Sequence, residues 1–360
     1  MTTKTHTIEC RFQDGKSLEF DCREDQTIVQ GGLDNGVILL AQCMRGNCAT
    51  CKCLSTDDDS DYDFADYVNN VSLPPEDEEE GYILGCGTFP FTDMVLEMPY
   101  EYERVSFGAV IPAESFNTKI VVADLISSNV FRLLLQVTDK EGNPQAIKFL
   151  AGQYMTLFIP GTETGRSYSM ATTPDQNGQL EFLIRILPDG KFSDFLVNDA
   201  KVGQELIARG PYGIFNLRKH SKRTRFFIAG GTGVAPFFSM IRQIAADGDT
   251  IPTYLFFGMN KQSEVFTEGY LEERDRIEKA HPNIHIRQTV MEADTDWMEE
   301  IGSVIDSAKK AATELDAMPD VYLCGPPGMM DAARETAKSY EEILSGEYEV
   351  IQEDFQASGE

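Results

Sequence analysis

Histidine is scarce in this chain of 360 residues, with four in all, and lysine plus arginine reach only 31 against 59 acidic residues. The resulting formal charge of −28 repels nucleic acid and anionic membrane surfaces, so neither is an expected partner. No apolar run is long enough to span a bilayer, and residues 1–11 lack the basic stretch and apolar core of a secretory signal. A soluble, cytoplasmic protein is expected. Internal repeats and low-complexity tracts are absent too. What is present is 42% hydrophobic residues over a length that predicts two or three domains, each with a real core.

Charge and cysteine are both unevenly spread. Residues 1–105 hold 7 of the basic and 22 of the acidic residues, over half of the acidic surplus. That surplus serves either as a solvated surface or as a docking face for a basic partner. Seven of the eight cysteines lie in the same segment, and only Cys324 is remote. In a reducing compartment, clustered cysteines point to a metal or cluster site rather than to disulfides.

Cys43-x4-Cys48-x2-Cys51, with Cys86 following after 34 residues, has the spacing of a plant-type 2Fe–2S site. Four thiolates must converge on two irons, and Gly46 and Ala49 are small enough for the backbone to wrap close to the sulfides. Zinc is the alternative, but it favours two Cys-x2-Cys knuckles and the chain has one such pair. A Rieske centre needs two histidines, and none of His6, His220, His281 and His285 adjoins a loop cysteine. Cys10, Cys22 and Cys53 read as packed core residues.

Residues 107–217 are dense in β-branched and apolar runs punctuated by glycine and proline, the pattern of a small antiparallel barrel. Within it, Arg166-Ser167-Tyr168-Ser169 combines a phosphate-pairing guanidinium, a ring to cover an aromatic face, and a hydroxyl to bond a flavin nitrogen. Gly190-Lys191-Phe192-Ser193 opens a short predicted helix at 193–197 and offers a second anion site. Two phosphate-binding devices favour FAD over FMN.

From Thr224 onward strand and helix alternate, which predicts a parallel α/β sheet. Gly230-Gly231-Thr232-Gly233 joins a buried strand at 225–229 to a helix at 235–245, the context of a phosphate-cradling turn. Cys324-Gly325-Pro326 ends the strand at 320–324 on the same sheet edge. Cys324 is there either beside a nicotinamide ring or as one more buried thiol. The loop 259–264 contains one lysine and no arginine, which favours NADH over NADPH. Phe355, after a predicted last strand at 348–352, covers a flavin face or belongs to a frayed tail.

Taken together, the three sites resemble those of the reductase components of soluble bacterial oxygenases, the methane and alkane monooxygenase group above all. The resemblance covers nearly the whole chain. It includes stretches without obvious catalytic duty, among them Leu73-Pro-Pro-Glu-Asp-Glu-Glu-Glu and Leu180-Glu-Phe-Leu-Ile-Arg. It implies an α+β multidomain protein: a β-grasp ferredoxin domain at 1–103, an antiparallel FAD barrel at 107–218 and a Rossmann-like NAD domain at 222–360. The implied cluster ligands are Cys43, Cys48, Cys51 and Cys86. Arg166, Ser167, Tyr168, Ser169, Gly190, Phe192 and Ser193 would hold FAD, with Phe355 beside it. Gly230, Gly231, Thr232, Gly233, Cys324, Gly325 and Pro326 would line the NADH site, Ser169 and Cys324 being the candidate catalytic residues.

The implied reaction carries hydride from NADH to FAD and single electrons through the cluster to an oxygenase component. That partner is expected to be a di-iron hydroxylase, docked through the acidic ferredoxin domain. The rivals are the reductase of an aromatic-ring dioxygenase or phenol-type hydroxylase and, in another class, a redox carrier or sensor module. Two departures from the resembled pattern stand out. Glu353-Asp354-Phe355 replaces Glu-Lys-Phe, and residues 56–67 form a longer, more acidic stretch.

Overall fold

The computed structural model describes residues 3–41, 46, 49–57, 59–68, 72–107, 111, 113–174, 177–218, 221–266, 269–315, 318–341 and 350–354. The chain divides into two compact units, Met1–Ile111 and Pro112–Glu360.

In the first unit β1 (Thr5–Arg11) and β2 (Ser17–Arg23) form an antiparallel pair whose alternate residues Ile8, Cys10, Phe20 and Cys22 turn inward. Helix α1 (Ile28–Asp34), N-capped by the Thr27 hydroxyl, buries Ile28 and Val29. Short elements follow: β3 (Val37–Ile38), β4 (Lys52–Ser55), β5 (Tyr62–Phe64), the acidic helix α2 (Pro75–Glu79), β6 (Tyr82–Leu84), β7 (Thr88–Pro90), β8 (Met94–Glu97) and β9 (Ser106–Phe107). The main sheet has the order β2-β1-β8-β4-β6, with β8 parallel to β1 and the other pairs antiparallel. This mixed sheet packed on one helix is the expected β-grasp arrangement.

The second unit opens with β10 (Glu114–Leu125), β11 (Val130–Thr138), β12 (Tyr154–Phe158), β13 (Gly165–Ser169), β14 (Gln179–Arg185) and β15 (Glu205–Tyr212). They form one antiparallel sheet in the order β13-β12-β15-β10-β11-β14. A bridge between Met170 and Phe182 brings its two edges together, so the sheet curls on itself as a barrel. Helix α3 (Lys191–Asn198) starts two residues before the predicted 193 and sinks Phe192, Phe195 and Leu196 into the barrel core.

The remaining elements are β16 (Arg225–Gly230), α4 (Ala235–Asp247), β17 (Thr253–Lys261), α5 (Tyr270–Ala280), β18 (Ile284–Glu292), β19 (Glu300–Ile301), α6 (Val304–Ala312), β20 (Asp320–Gly325), α7 (Pro327–Glu341) and β21 (Val350–Asp354). The six strands run parallel in the order β19-β18-β17-β16-β20-β21. β16 and β20 are buried along their whole length, as central strands covered on both faces must be. One apolar cluster lies against α6 and α7. The other joins α4 and the sheet to barrel residues Val130, Ala151, Ala171, Leu183 and Phe215, which is why barrel and sheet form a single unit. The last strand lies two residues beyond the predicted 348–352, and this places Glu353 inside the sheet. No helix among the described residues is long and apolar enough to cross a membrane.

Candidate functional site

Of the four cysteines expected to hold the cluster, Cys51 and Cys86 are described, while Cys43 and Cys48 lie outside the described residues. Cys51 and Cys86 are both buried, and the Cys86 backbone N–H donates to the Cys51 sulfur at 3.5 Å. A peptide N–H aimed at a buried cysteine sulfur is the donor that a thiolate ligand needs. The loop is held in place locally. Gly46 and Ala49 both adopt left-handed backbone, at φ 68° and 54°, and the Ser72 hydroxyl donates to the Gly46 carbonyl. Tyr67 donates its hydroxyl to the Cys86 carbonyl at 2.7 Å. Cys10, Cys22 and Cys53 lie in the apolar core instead. Burial pushes the Cys10 and Cys22 thiols up to about 12 and raises Cys53 as well.

Along β13 the residues alternate. Ser167 is exposed and pairs with the Thr156 hydroxyl at 3.0 Å, while Ser169 is buried. Arg166 donates to the Gly165 carbonyl at 2.9 Å. The Tyr168 ring rests on Phe192, with centroids 5.3 Å apart, and burial raises its phenol so that it stays neutral. Gly190 is the N-cap residue of α3, and Ser193 accepts the Leu187 N–H at 3.0 Å, which still leaves its hydroxyl proton to donate.

The two glycine turns of the third sheet meet backbone to backbone. A Cβ on Gly233 would lie 2.3 Å from the Cys324 carbonyl oxygen, and one on Gly325 would lie 2.9 Å from the Gly230 nitrogen. A Cβ on Gly230 would meet Pro326 at 2.7 Å. Gly231, at φ 56°, is the exception, because nothing lies within 4 Å of its Cβ position. With Thr232 it begins a 3-10 turn that leads directly into α4. This open, glycine-lined entrance to a helix fits a dinucleotide phosphate.

One residue of the candidate site stands out only in the structure. Ser169 donates its hydroxyl to Glu353 Oε2 at 2.8 Å, across 184 positions of chain, and Glu353 is the register partner of Cys324 in the β20–β21 pair. The barrel strand and the sheet edge therefore converge on Ser169, Glu353 and Cys324, all buried. In sequence Glu353 stands out only as part of an altered tail. A glutamate in a strand of the core is a signal that could have marked it. Phe355 lies outside the described residues.

A cysteine-loop β-grasp unit, a barrel and a parallel sheet in one chain define a class: reductases that couple a two-electron nicotinamide donor to one-electron transfer. Residues 11–91 match the 2Fe-2S iron-sulfur cluster binding domain, 117–217 the oxidoreductase FAD-binding domain and 227–335 the oxidoreductase NAD-binding domain. The chain is 42% identical over 280 residues to methane monooxygenase component C of Methylosinus trichosporium, covering 78% of this chain and 79% of that one. It is 31% identical to the propane 2-monooxygenase reductase component of Gordonia sp. (strain TY-5), covering 93% and 94%. An Amycolatopsis cytochrome P450 reductase shares the fold, with a TM-score of 0.72 at 23% identity over 97% of this chain and 98% of that one. The chain belongs to the family of ferredoxin–FAD–NAD reductase components of bacterial oxygenases. It is an NADH oxidoreductase whose cofactors are FAD, NAD and a 2Fe–2S cluster.

Proposed function

We propose that this reductase supplies a soluble di-iron hydroxylase of the methane or alkane type, working in the cytoplasm through domains at 1–103, 107–218 and 222–360. The observation that carries the reading of the site is the Ser169–Glu353 hydrogen bond beside Cys324, because it brings the flavin strand and the nicotinamide sheet edge to one point. When bound, NADH supplies hydride, FAD accepts it, and the cluster releases single electrons. Arg166, Ser167, Tyr168, Gly190, Phe192 and Ser193 hold FAD, with Phe355 beside it. Gly230, Gly231, Thr232, Gly233, Gly325 and Pro326 seat the dinucleotide. Cys43, Cys48, Cys51 and Cys86 ligate iron.

Ser169 has its only hydroxyl proton engaged by a carboxylate, so its oxygen presents lone pairs and acts as an acceptor. Glu353 thereby fixes both the direction of that hydrogen bond and the rotamer of Ser169. Cys324 contributes a small, polarisable wall beside them. The acidic ferredoxin segment docks the hydroxylase, which fits the surplus of 22 acidic over 7 basic residues in 1–105. Support for the partner comes from the 42% identity to methane monooxygenase component C. A second reading has support of its own, since an anthranilate 1,2-dioxygenase electron transfer component of Acinetobacter baylyi is 30% identical over 330 residues.

Reconstitution separates the two. The reductase, given NADH, should drive turnover by a purified di-iron alkane hydroxylase with tight coupling. Efficient turnover of a Rieske dioxygenase alone would reverse the assignment. Anaerobic NADH titration followed by visible absorbance and low-temperature EPR tests the internal relay, with about three electrons expected per chain.

A further inference from the structure

The stretch Leu180-Glu-Phe-Leu-Ile-Arg has no place in the site described above, yet Glu181, itself buried, lies at the centre of a half-buried cluster of charges. Its Oε1 accepts from Arg132 Nε at 2.6 Å and from the Tyr270 hydroxyl at 3.0 Å. Its Oε2 accepts from Arg242 Nη1 at 2.8 Å. Arg242 also grips Glu273 through two bonds, Nε to Oε1 at 2.8 Å and Nη2 to Oε2 at 2.7 Å. From Nη1 it donates again, to the Ala171 carbonyl at 2.7 Å. One guanidinium thus ties β14 and the residue two beyond Ser169 to helices α4 and α5. Burial alone would raise the Glu181 carboxyl, but Arg242 and then Arg132 outweigh it and hold it low.

The position of Arg242 along α4 gives the cluster its meaning. α4 begins directly after the Gly231–Val234 turn. One turn before Arg242 on the same helix, Ser239 donates its hydroxyl to the Thr172 carbonyl. The strand leaving Ser169 is therefore pinned at each step: Ser169 to Glu353, Met170 to Phe182, Ala171 to Arg242 and Thr172 to Ser239. Two of these four ties come from the helix whose first turn extends the dinucleotide seat. We propose that Arg242 is a positioning residue for hydride transfer: through Ala171 and Glu181 it sets how far the nicotinamide turn stands from the flavin strand. A planar fork with five donors fixes direction as well as distance, which lysine in its place cannot do. A misplacement of about 1 Å between reacting groups costs on the order of 100-fold in rate.

This rests on the reading of Gly231–Gly233 as the dinucleotide seat. The two ideas fail separately, because Gly231→Val should abolish NAD+ binding, whereas Arg242→Lys should leave it within about threefold. The test is stopped-flow reduction of full-length, FAD-loaded Arg242→Lys by saturating NADH. It is paired with the long-wavelength absorbance that appears when NAD+ stacks on the dithionite-reduced flavin. The expected result is a flavin-reduction rate lowered by roughly 10- to 100-fold and a weakened band, with FAD content and electron transfer from reduced flavin to the cluster unchanged. A wild-type rate and band overturn the proposal. So does a loss of rate that merely tracks a partial loss of FAD. Should Arg242→Lys fail to load FAD, Ser239→Ala decides, since it removes the neighbouring tie without stranding a charge: a lowered saturated rate with intact FAD supports the positioning role, and a wild-type rate refutes it.

Discussion

Gly233→Ala is the sharpest perturbation available at the nicotinamide turn. Its new Cβ would stand 2.3 Å from the Cys324 carbonyl oxygen and 2.6 Å from the carbonyl carbon, in a strand that is buried throughout. Both are backbone atoms, so neither can swing aside as a side chain would, and the turn or the strand must move. Overpacking costs roughly 1–3 kcal/mol, and two backbone clashes place this case in the upper half of that range. At roughly 2–4 °C per kcal/mol for a unit of this size, the melting temperature should fall by roughly 4–12 °C. Gly231→Ala is the internal comparison. No atom lies within 4 Å of its Cβ, so the cost is confined to the left-handed φ of 56°. That is about 1 kcal/mol, or roughly 2–4 °C. Trp297 is the only tryptophan in the chain and donates to the Glu300 carbonyl at 3.0 Å beside β19, so its fluorescence reports melting of this sheet without interference from the ferredoxin unit. The functional order should be the reverse of the thermal one, with Gly231→Ala weakening NAD+ binding more than its small thermal loss suggests. If Gly233→Ala melts no lower than Gly231→Ala, the backbone contact between the two turns is not what holds this edge together.

Other expectations follow from the same geometry. Cys51→Ala should abolish reduction of one-electron acceptors such as cytochrome c while two-electron dye reduction by NADH persists; equal loss of both in FAD-loaded protein would refute the division between flavin and cluster. Ser169→Ala and Glu353→Gln share one hydrogen bond of 2.8 Å. Each should slow flavin reduction by roughly 10-fold, and the double variant should be little worse than the slower single, whereas multiplied effects in stopped flow would show that they act independently. Glu181 sits below its ordinary 4.5: burial raises it, but the charges and hydrogen bonds of Arg242 and then Arg132 lower it more. Arg132, Arg242, the neutral Tyr270 hydroxyl and, beyond Arg242, Glu273 are the groups around it. The folded protein binds fewer protons there than the unfolded chain, so this contribution is full above about pH 4.5 and disappears as pH falls through the lower folded value. The stability gap between wild type and Glu181→Gln in urea should therefore close in acid, and a gap that does not change with pH would contradict the pairing.

How much of this was legible in sequence depended on how local each signal was. The Cys43-x4-Cys48-x2-Cys51 spacing and the Gly230–Gly233 turn each concern a few neighbouring residues, and for Gly230 and Gly233 the close approach of the opposite turn explains the residue type. The apolar runs 226–229 of β16 and 321–324 of β20 were equally plain, because a central parallel strand is covered on both faces. The sequence pattern starts α3 two residues late, at Ser193, whereas in the structure Phe192 is drawn into the first turn by burial in the barrel. Glu353 and Glu181 were hidden for a different reason. Each is an acidic residue whose partner lies far along the chain, Ser169 at 184 positions and Arg242 at 61, and no periodicity encodes such a pairing. The sequence pattern ends the C-terminal strand two residues early, at 352, and so leaves Glu353 in a tail instead of in the sheet beside Cys324.

The Arg132–Glu181–Arg242–Glu273 cluster, of which Glu181 is buried and the others half-buried, is poor evidence for stability by itself. Withdrawing such charges from water costs several kcal/mol per ion, and apolar side chains of similar volume often do as well or better. The neighbouring interface had that option, since Ala171, Leu183, Phe237 and Met240 already form a continuous apolar contact between barrel and sheet. Apolar packing, however, resists separation far more than it resists sliding, because dispersion contacts have little directional preference. Hydrogen bonds from one planar guanidinium to the Ala171 carbonyl and to two carboxylates lose strength quickly with displacement in any direction. A reductase that must hold two stacked rings at a fixed separation needs the second kind of contact more than the first. Replacing Glu181 and Arg242 together with Leu and Met leaves Arg132 and Glu273 partly exposed and within reach of water, so it should preserve the melting temperature to within a few degrees while still lowering the saturated rate of flavin reduction. A double variant as fast as wild type would show that apolar packing alone sets the distance.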